Sequence, residues 1–259
     1  MRDYKISEEF AATREAILDI PNRFNDTGEV IQNSRNVIKR ITGQMGTVVV
    51  KNFIGMYFFN RLGYSLFRRS KASRSYIYSG ILKEKGITTP PRVAWINYYS
   101  FGLLMRSYYI SVYLQDPTLH TILEDWDPKN ASLKTKLYHD LAAFTIKLHK
   151  LGIYHKDYSL GNILVKQTDS GFEFGLVDLN RVLFKKINYS EGLRNFSTLG
   201  LTKEDMNTLV EEYATQSNQP KAESIEKYWR YLKRKTFFWK LRKGLRRYTL
   251  TPLEQLIKN

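Results

Sequence analysis

The chain has 259 residues, enough to bury a full core in one two-lobed unit, and its 41 Lys plus Arg against 25 Asp plus Glu give a formal charge of +16. The absence of cysteine excludes disulfides and thiolate metal sites, and four histidines without close pairing argue against zinc, so a metal here would be held by oxygens, magnesium above all. The charge attracts phosphate-rich surfaces of nucleic acid, membrane or glycolipid and does not choose among them.

The N-terminus, MRDYKISEEF, is charged where a signal peptide needs an apolar core, and Lys or Arg interrupts every apolar stretch before it reaches spanning length; the expectation is a cytoplasmic protein. Ser7-Glu8-Glu9 opens a helix with Phe10 and Ile17 on one side, stopped at Pro21, so residues 1–27 read as a helical extension. From Gly28 the pattern turns extended. Glu29–Gln32 and Val37–Ile41 flank the turn residues Asn33–Asn36, and Thr47–Phe53 follows as a Val-rich strand. On that strand Thr47, Val49, Lys51 and Phe53 share a face, which makes Lys51 a lone cation among apolar neighbours. Such a lysine either binds an anion or keeps its head in water at an edge.

Between Gly55 and Arg74, Tyr57, Phe58, Phe59, Tyr64 and Phe67 interleave with Arg61, Arg68, Arg69, Lys71 and Arg74. That mixture suits a headgroup boundary or an anionic sugar, and equally a basic surface with its rings turned inward. A helix over Lys71–Lys85 ends at Gly86 and Pro90-Pro91, with Glu84 in its last turn as the only acid. Arg92–Tyr99 and Leu103–Leu114 read as two more strands, completing a five-stranded antiparallel sheet. In Ser132–Leu151, Leu133, Leu137, Leu141, Phe144 and Leu148 recur at helical spacing, with Asn130 or Ser132 as cap and Gly152 as stop. This helix leads directly to His155, read as an imidazole that braces the following loop.

The stretch IYHKDYSLGNILVKQTDSGFEFGLVDLNR, residues 153–181, concentrates the polar chemistry. Asn162–Val165 and Phe172–Asp178 are short apolar runs around Asp169-Ser170-Gly171, a hairpin signal. A turn centred on Ser170 sets Asn162 opposite Asp178, close enough for an amide oxygen and a carboxylate to share a magnesium ion. Asp157, five residues before Asn162, can take a proton from an attacking hydroxyl. Phosphoryl transfer asks for little more than neutralised phosphates and one placed base. An ordinary hairpin with polar ends would have to account for His155, Asp157, Asn162 and Asp178 together.

His155-Lys156-Asp157 with Asn162-Ile163-Leu164, and Val177-Asp178-Leu179 after it, resemble the catalytic loop and metal-binding motif of protein-kinase-like enzymes. KDYSLGNILV, VDLNR, RSKASRSY and GITTPPRVAW together look most like the lipopolysaccharide kinase family, over roughly residues 28–215 by pattern. The resemblance implies an α+β, two-lobed protein-kinase-like fold: a small antiparallel-sheet lobe over residues 28–114, a hinge near Val112–Gln115, and a larger, mainly helical lobe over 115–259. It implies ATP and Mg2+ as cofactors, a heptose or Kdo sugar of the lipopolysaccharide core as acceptor, Asp157 as base, Asn162 and Asp178 as metal ligands, and Lys51 on the nucleotide phosphates.

Several features depart from the protein-kinase pattern. Asn33-Ser34-Arg35-Asn36 replaces the glycine-rich loop, so Arg35 is a candidate to supply charge where glycine amides are missing. The helix over 71–85 has no central carboxylate to pair with Lys51. No Ala-Pro-Glu follows Arg181, and Ser159 stands where protein kinases usually carry a lysine; both favour a small or glycan acceptor over a peptide. A helix begins near Thr202 with a capping-box-like Thr202 and Asp205. The tail over 221–248 carries eleven Lys or Arg, two Glu and the rings of Tyr228, Trp229, Tyr231, Phe237, Phe238 and Trp239. It has the ingredients of an amphipathic helix at an anionic membrane surface, or of one whose rings pack on the large lobe. A pseudokinase that binds a partner, suggested by the missing carboxylate, and an RNA-associated kinase-like protein, suggested by charge, are the alternatives. The intact Asp157, Asn162 and Asp178 oppose the first, and the lack of any RNA-binding motif argues against nucleic acid as a partner.

Overall fold

The computed structural model describes residues 2–34, 36–53, 69–127 and 129–256, with side chains up to residue 241. Arg35 and most of the aromatic and basic stretch after Gly55 lie outside the described residues. Six antiparallel strands form the main sheet: β1 (Arg2–Ile6), β2 (Glu29–Asn33), β3 (Val37–Gly43), β4 (Gly46–Asn52), β5 (Arg92–Ser100) and β6 (Leu103–Val112), in the order β1-β5-β6-β4-β3-β2. Four short strands, β7 (Ile153–His155), β8 (Ile163–Thr168), β9 (Gly171–Leu176) and β10 (Val182–Phe184), make two ladders, β8 with β9 and β7 with β10. The helices are α1 (Arg14–Arg23), α2 (Lys71–Glu84), α3 (Leu119–Glu124), α4 (Ala131–Lys150), α5 (Tyr189–Asn195), α6 (Lys203–Gln216) and α7 (Lys221–Leu256).

The chain divides into two compact units. The first comprises residues 1–125, 155–166 and 173–183, the second residues 126–154, 167–172 and 184–259. In the first unit, β1 is the strand that the sequence reading lacked. Arg2 to Ile6 pair with Tyr98 to Ala94 of β5, so the sheet has six strands and the N-terminal segment is an integral edge of it. Its signal is faint because backbone pairing holds RDYKI at an exposed edge, and only Tyr4 and Ile6 are partly covered. Helix α1 continues past Pro21 to Arg23. Pro21 has no N–H to donate to the Ile17 carbonyl, so the last turn continues without that bond, and Ile17, Ile20 and Phe24 cover one face of the sheet against Val48, Val50, Ile96, Tyr108 and Ile110. The buried ammonium of Lys39 ties β3 to the end of α1, donating to the carbonyls of Phe24 (2.7 Å), Asn25 (2.9 Å) and Thr27 (3.1 Å).

Helix α2 faces β5 and β6 with Ala72, Ser75, Tyr76, Ser79 and Gly80. This stripe is built from small and hydroxylic residues, which let backbones approach; Ser79 donates to the Pro90 carbonyl at 3.1 Å. The Ser70 side chain caps the helix, accepting from the Ser73 N–H. The bases of β8 and β9 join the first unit through two backbone bonds, Val165 N–H to Pro117 O and Leu176 N–H to Thr88 O, each 2.9 Å. Gly175 lets the backbones approach closely at that seam, since a Cβ there would sit 3.1 Å from the Thr88 oxygen, a tight contact.

The second unit is helical. Leu137, Tyr138, Leu141 and Leu148 of α4 are buried, and α4 packs on α6, which in turn packs on α7. Lys134 and Asp205 pair at 2.8 Å between α4 and α6. At the hairpin tip, the Phe172 N–H donates to Asp140 of α4 at 3.0 Å.

Candidate active site

Alternation on β4 buries Val48 and Val50 in the core and turns Val49 and Lys51 to the opposite face. The same alternation on the neighbouring β6 presents Tyr109 and Ser111 beside them, Lys51 opposite Tyr109 and Val49 opposite Ser111. These side chains, with Ile38 of β3, form the roof of a cavity of about 410 Å³. Ile31 joins them from a bulge in β2, where the register slips between Val30 and Gln32. Residues 112–117, which leave β6 as irregular chain, form one wall, and Gly161, Asn162, Leu164, Val177 and Asp178 form the floor.

The four expected residues are linked in two pairs, Lys51 with Asp178 and Asn162 with Asp157. The Lys51 ammonium meets the Asp178 Oδ1 at 2.7 Å, with 12% and 23% of their side-chain surfaces exposed. Asn180 also donates to that Oδ1. Asp178 itself adopts the left-handed conformation, φ 54° and ψ 49°, and begins a tight 3-10 turn, Leu179–Arg181. The Asn162 Nδ2 donates to the Asp157 carbonyl at 2.8 Å. This orientation aims the Asn162 side-chain oxygen away from that bond.

The hairpin register differs from the expectation. The two-residue turn Asp169-Ser170 shifts the pairing by one, and the Asn162 carbonyl accepts the Val177 N–H at 3.0 Å. Asn162 therefore faces Val177, and neither Asn162 nor Asp178 belongs to a strand. Both reach the cavity because each lies in a turn just beyond the ladder: Asn162 ends the 3-10 turn Leu160–Asn162, and Asp178 starts the left-handed one.

His155 has the bracing geometry expected of it. Its Nδ1 accepts the Asp157 N–H at 3.2 Å and its Nε2–H donates to the Val177 carbonyl at 3.1 Å. Burial holds its pKa below the ordinary imidazole value, despite the opposing influence of the bond to Val177 and of the nearby Asp178 and Asp157. The neutral ring thus connects the loop bearing Asp157 with the strand end that leads to Asp178.

Two contributors were not singled out from sequence, and a third, Lys71, was named only as a cation of the aromatic stretch before it. Arg181 donates to Asp157 Oδ2 at 3.1 Å. Asn180 secures Asp178, as described above. Lys71, in the first turn of α2, lies 5.9 Å from the centre of the Phe53 ring, which Lys51 approaches to 5.4 Å. Burial, then the nearby Arg74, holds the Lys71 pKa down; Lys51 and Arg181 act in the same direction and Asp178 opposes them. The VDLNR motif carried the signal for Asn180 and Arg181, but nothing in the motif says which side chain each would reach.

The missing helix carboxylate is a real departure, yet it does not leave Lys51 without a carboxylate, because Asp178 takes that place. Glu84, the acid of α2, is exposed at its far end. Among the described residues no three His, Asp or Glu side chains converge as a ready-made metal cage. The oxygens of Asn162 and Asp178 suit an ion that completes its shell with phosphate and water, which is magnesium's habit.

A family model described as the lipopolysaccharide kinase (Kdo/WaaP) family matches residues 37–213. Among solved structures, WaaP in complex with acyl carrier protein is similar, with a TM-score of 0.62 and 19% identity over 90% of this chain and 97% of that one. At that identity the likeness bears on the fold alone, which is protein-kinase-like. No curated protein matches the sequence.

Proposed function

The chain belongs to the lipopolysaccharide kinase (Kdo/WaaP) family, a family of phosphotransferases acting on a sugar hydroxyl, and we propose that it moves the γ-phosphoryl group of ATP to a heptose or Kdo hydroxyl of the lipopolysaccharide inner core. The observation that carries this reading is the sharing of one cavity by Lys51, Asn162 and Asp178, with the loop of Asp157 just outside the lining and held there by the Asn162 side chain, which donates to the Asp157 backbone carbonyl. That arrangement supports a nucleotide side and an acceptor side.

In this reading the apolar roof and the chain at 112–117 hold the base, and Lys51 binds phosphate oxygens. Asn162 and Asp178 hold magnesium, which neutralises charge on the phosphates when bound. Asp157 accepts the proton of the sugar hydroxyl as that oxygen bonds to phosphorus and the bond from phosphorus to the nucleotide breaks. Residues 28–114 and 115–259 act as the small and large lobes. The test incubates the protein with γ-labelled ATP and lipopolysaccharide core, with magnesium or with a chelator, and locates the phosphate by mass spectrometry. Magnesium-dependent label on one core sugar is expected. Nucleotide binding with no transfer to any core acceptor would overturn the reading in favour of a pseudokinase.

A membrane-facing role for α7 is a second element of the proposal, favoured by one observation. Tyr228 is buried and Trp229 donates to Asn207 of α6 at 2.8 Å, so the start of the helix is structural. Phe237, Phe238 and Trp239, in contrast, are 63%, 52% and 59% exposed among Lys233, Arg234 and Lys240. Consecutive positions point about 100° apart around a helix, so these rings do not make the single apolar face that the composition suggested. Rings and cations in this mixture still suit an anionic headgroup layer, and an acceptor whose lipid stays in the bilayer would require the enzyme there, at the cytoplasmic face of the inner membrane. No helix among the described residues is long and apolar enough to cross a membrane.

A further inference from the structure

We propose that Arg181 is the positioning residue for the base, fixing the Asp157 carboxylate from the turn that begins at Asp178. This inference rests on the reading of Asp157 as the base.

Arg181 makes two connections to the loop that bears Asp157. Its backbone oxygen accepts the Lys156 N–H at 3.3 Å, and its guanidinium donates to Asp157 Oδ2 at 3.1 Å. The turn that carries it is itself secured, by the Asn180 bond to Asp178 and by the Val182 N–H returning to the Leu179 carbonyl. Asp178 and the guanidinium that grips Asp157 therefore sit three residues apart on one fixed turn.

A stabilising role does not explain this pair. Its members are 55% and 36% exposed, and ion pairs so open to water contribute about 0–1 kcal/mol to folding. Orientation explains it better. An aspartate on a loop is free to rotate its carboxylate, and a bond to Oδ2 fixes the plane while leaving Oδ1 for an incoming hydroxyl. A base must lie within about 2.6–3.2 Å of its proton, so small misplacements are costly to rate. A guanidinium stays protonated at every working pH, so it orients the base without competing for the proton. Ser159, two residues after Asp157, is uncharged, and the cation comes instead from the neighbouring turn.

The test compares Arg181→Gln, Arg181→Lys, Asp157→Asn and the double variant Asp157→Asn/Arg181→Gln with the unaltered full chain. Readouts are kcat and KM for the core acceptor, affinity for a fluorescent ATP analogue with magnesium, and thermal midpoint. Arg181→Gln should lower kcat about 10- to 50-fold, with acceptor KM and nucleotide affinity changed by less than about twofold. Arg181→Lys keeps a cation at the site and should recover most of the loss. In the Asp157→Asn background the same change should cost less than about twofold more, because the group it positions is gone. A raised KM with unaltered kcat would overturn the inference by making Arg181 an acceptor contact. An equal loss in both backgrounds would overturn it by making Arg181 independent of Asp157. Slow Asp157→Asn beside a wild-type-like Arg181→Gln rejects the positioning role alone, whereas wild-type turnover by Asp157→Asn rejects the base assignment and this inference with it.

Discussion

Replacing Asp178 by Asn should destabilise the nucleotide-free protein more than replacing Lys51 by Met, although each change removes one half of the same ion pair. At an effective dielectric of about 20, unit charges 2.7 Å apart attract by roughly 6 kcal/mol before desolvation is set against them. What survives depends on what the remaining partner faces. Asp178→Asn leaves the mostly buried Lys51 ammonium with a neutral amide, beside a Lys71 that already feels Lys51 and Arg181. Stranding a buried charge costs about 3–5 kcal/mol; residual exposure and the amide oxygen reduce this to about 2–3 kcal/mol. Lys51→Met leaves Asp178 with the Asn180 amide and Lys71 nearby, for a loss of about 1 kcal/mol. For a chain of this size the first is a fall of roughly 4–12 °C and the second roughly 2–4 °C. Thermal melts without nucleotide measure both. Titration with a fluorescent ATP analogue should then show that Asp178→Asn loses the enhancement by magnesium, while Lys51→Met weakens binding with or without it. Equal destabilisation, or a larger effect of Lys51→Met, would refute the charge argument; an undiminished magnesium effect in Asp178→Asn would remove it from the metal site.

Further outcomes are expected. Asp157→Asn should retain nucleotide affinity and lower turnover by about 10²-fold or more, measured as label transferred to core glycan. Lys39→Met should lower the urea midpoint by the equivalent of about 2–4 kcal/mol, because three carbonyls at the end of α1 lose a charged donor. His149 and His155 both have pKa values depressed by burial from the ordinary 6.5. Their contribution to stability is therefore complete above about pH 6.5 and is lost as pH falls below it, so the urea midpoint should drop between pH 7.5 and 5.5, and His149→Gln should flatten part of that slope. Truncation after Thr236 preserves Tyr228, Trp229 and the Lys235 bonds to Ser197, and should leave the fold intact while abolishing salt-sensitive sedimentation with anionic vesicles. Retained sedimentation would mean that the exposed rings of α7 are not the contact.

Much of the fold could be read from the chain because its pattern there is local. The alternation around Lys51 put the lysine on the correct face, and the strands β2 to β6 fall within two residues of where turn residues and Val-rich runs set them. Edge strand β1 escaped because it contributes backbone hydrogen bonds more than buried side chains. The buried face of α2 gave no apolar period because serines form it; the helix was legible only from its stops, Gly86 and the two prolines. Lys39 looked like any charged strand residue, since the carbonyls that make its burial tolerable lie 12 to 15 residues away in sequence.

The site itself shows why residue types were legible and partners were not. Spacing predicted that Asn162 and Asp178 would come to one place, but through a hairpin register that the two-residue turn does not adopt. Each instead enters the cavity from a turn just past the ladder, and the left-handed conformation of Asp178 is what turns the chain so that Asn180 and Arg181 follow in tight succession. A one-residue change of register alters strand pairing without moving the turn ends far, so the right pair followed from the wrong ladder. Partner choice is less forgiving. Asp178 pairs with Lys51, and Arg181 with Asp157, across 127 and 24 residues of sequence respectively. Neither link has a local signature, and together they divide the site's charge: one carboxylate and lysine at the cavity, one carboxylate and arginine beside it. Separate cations would let the two acids take the different roles proposed for them, with a change at Lys51 bearing first on the proposed phosphate side and a change at Arg181 on the proposed proton-accepting side.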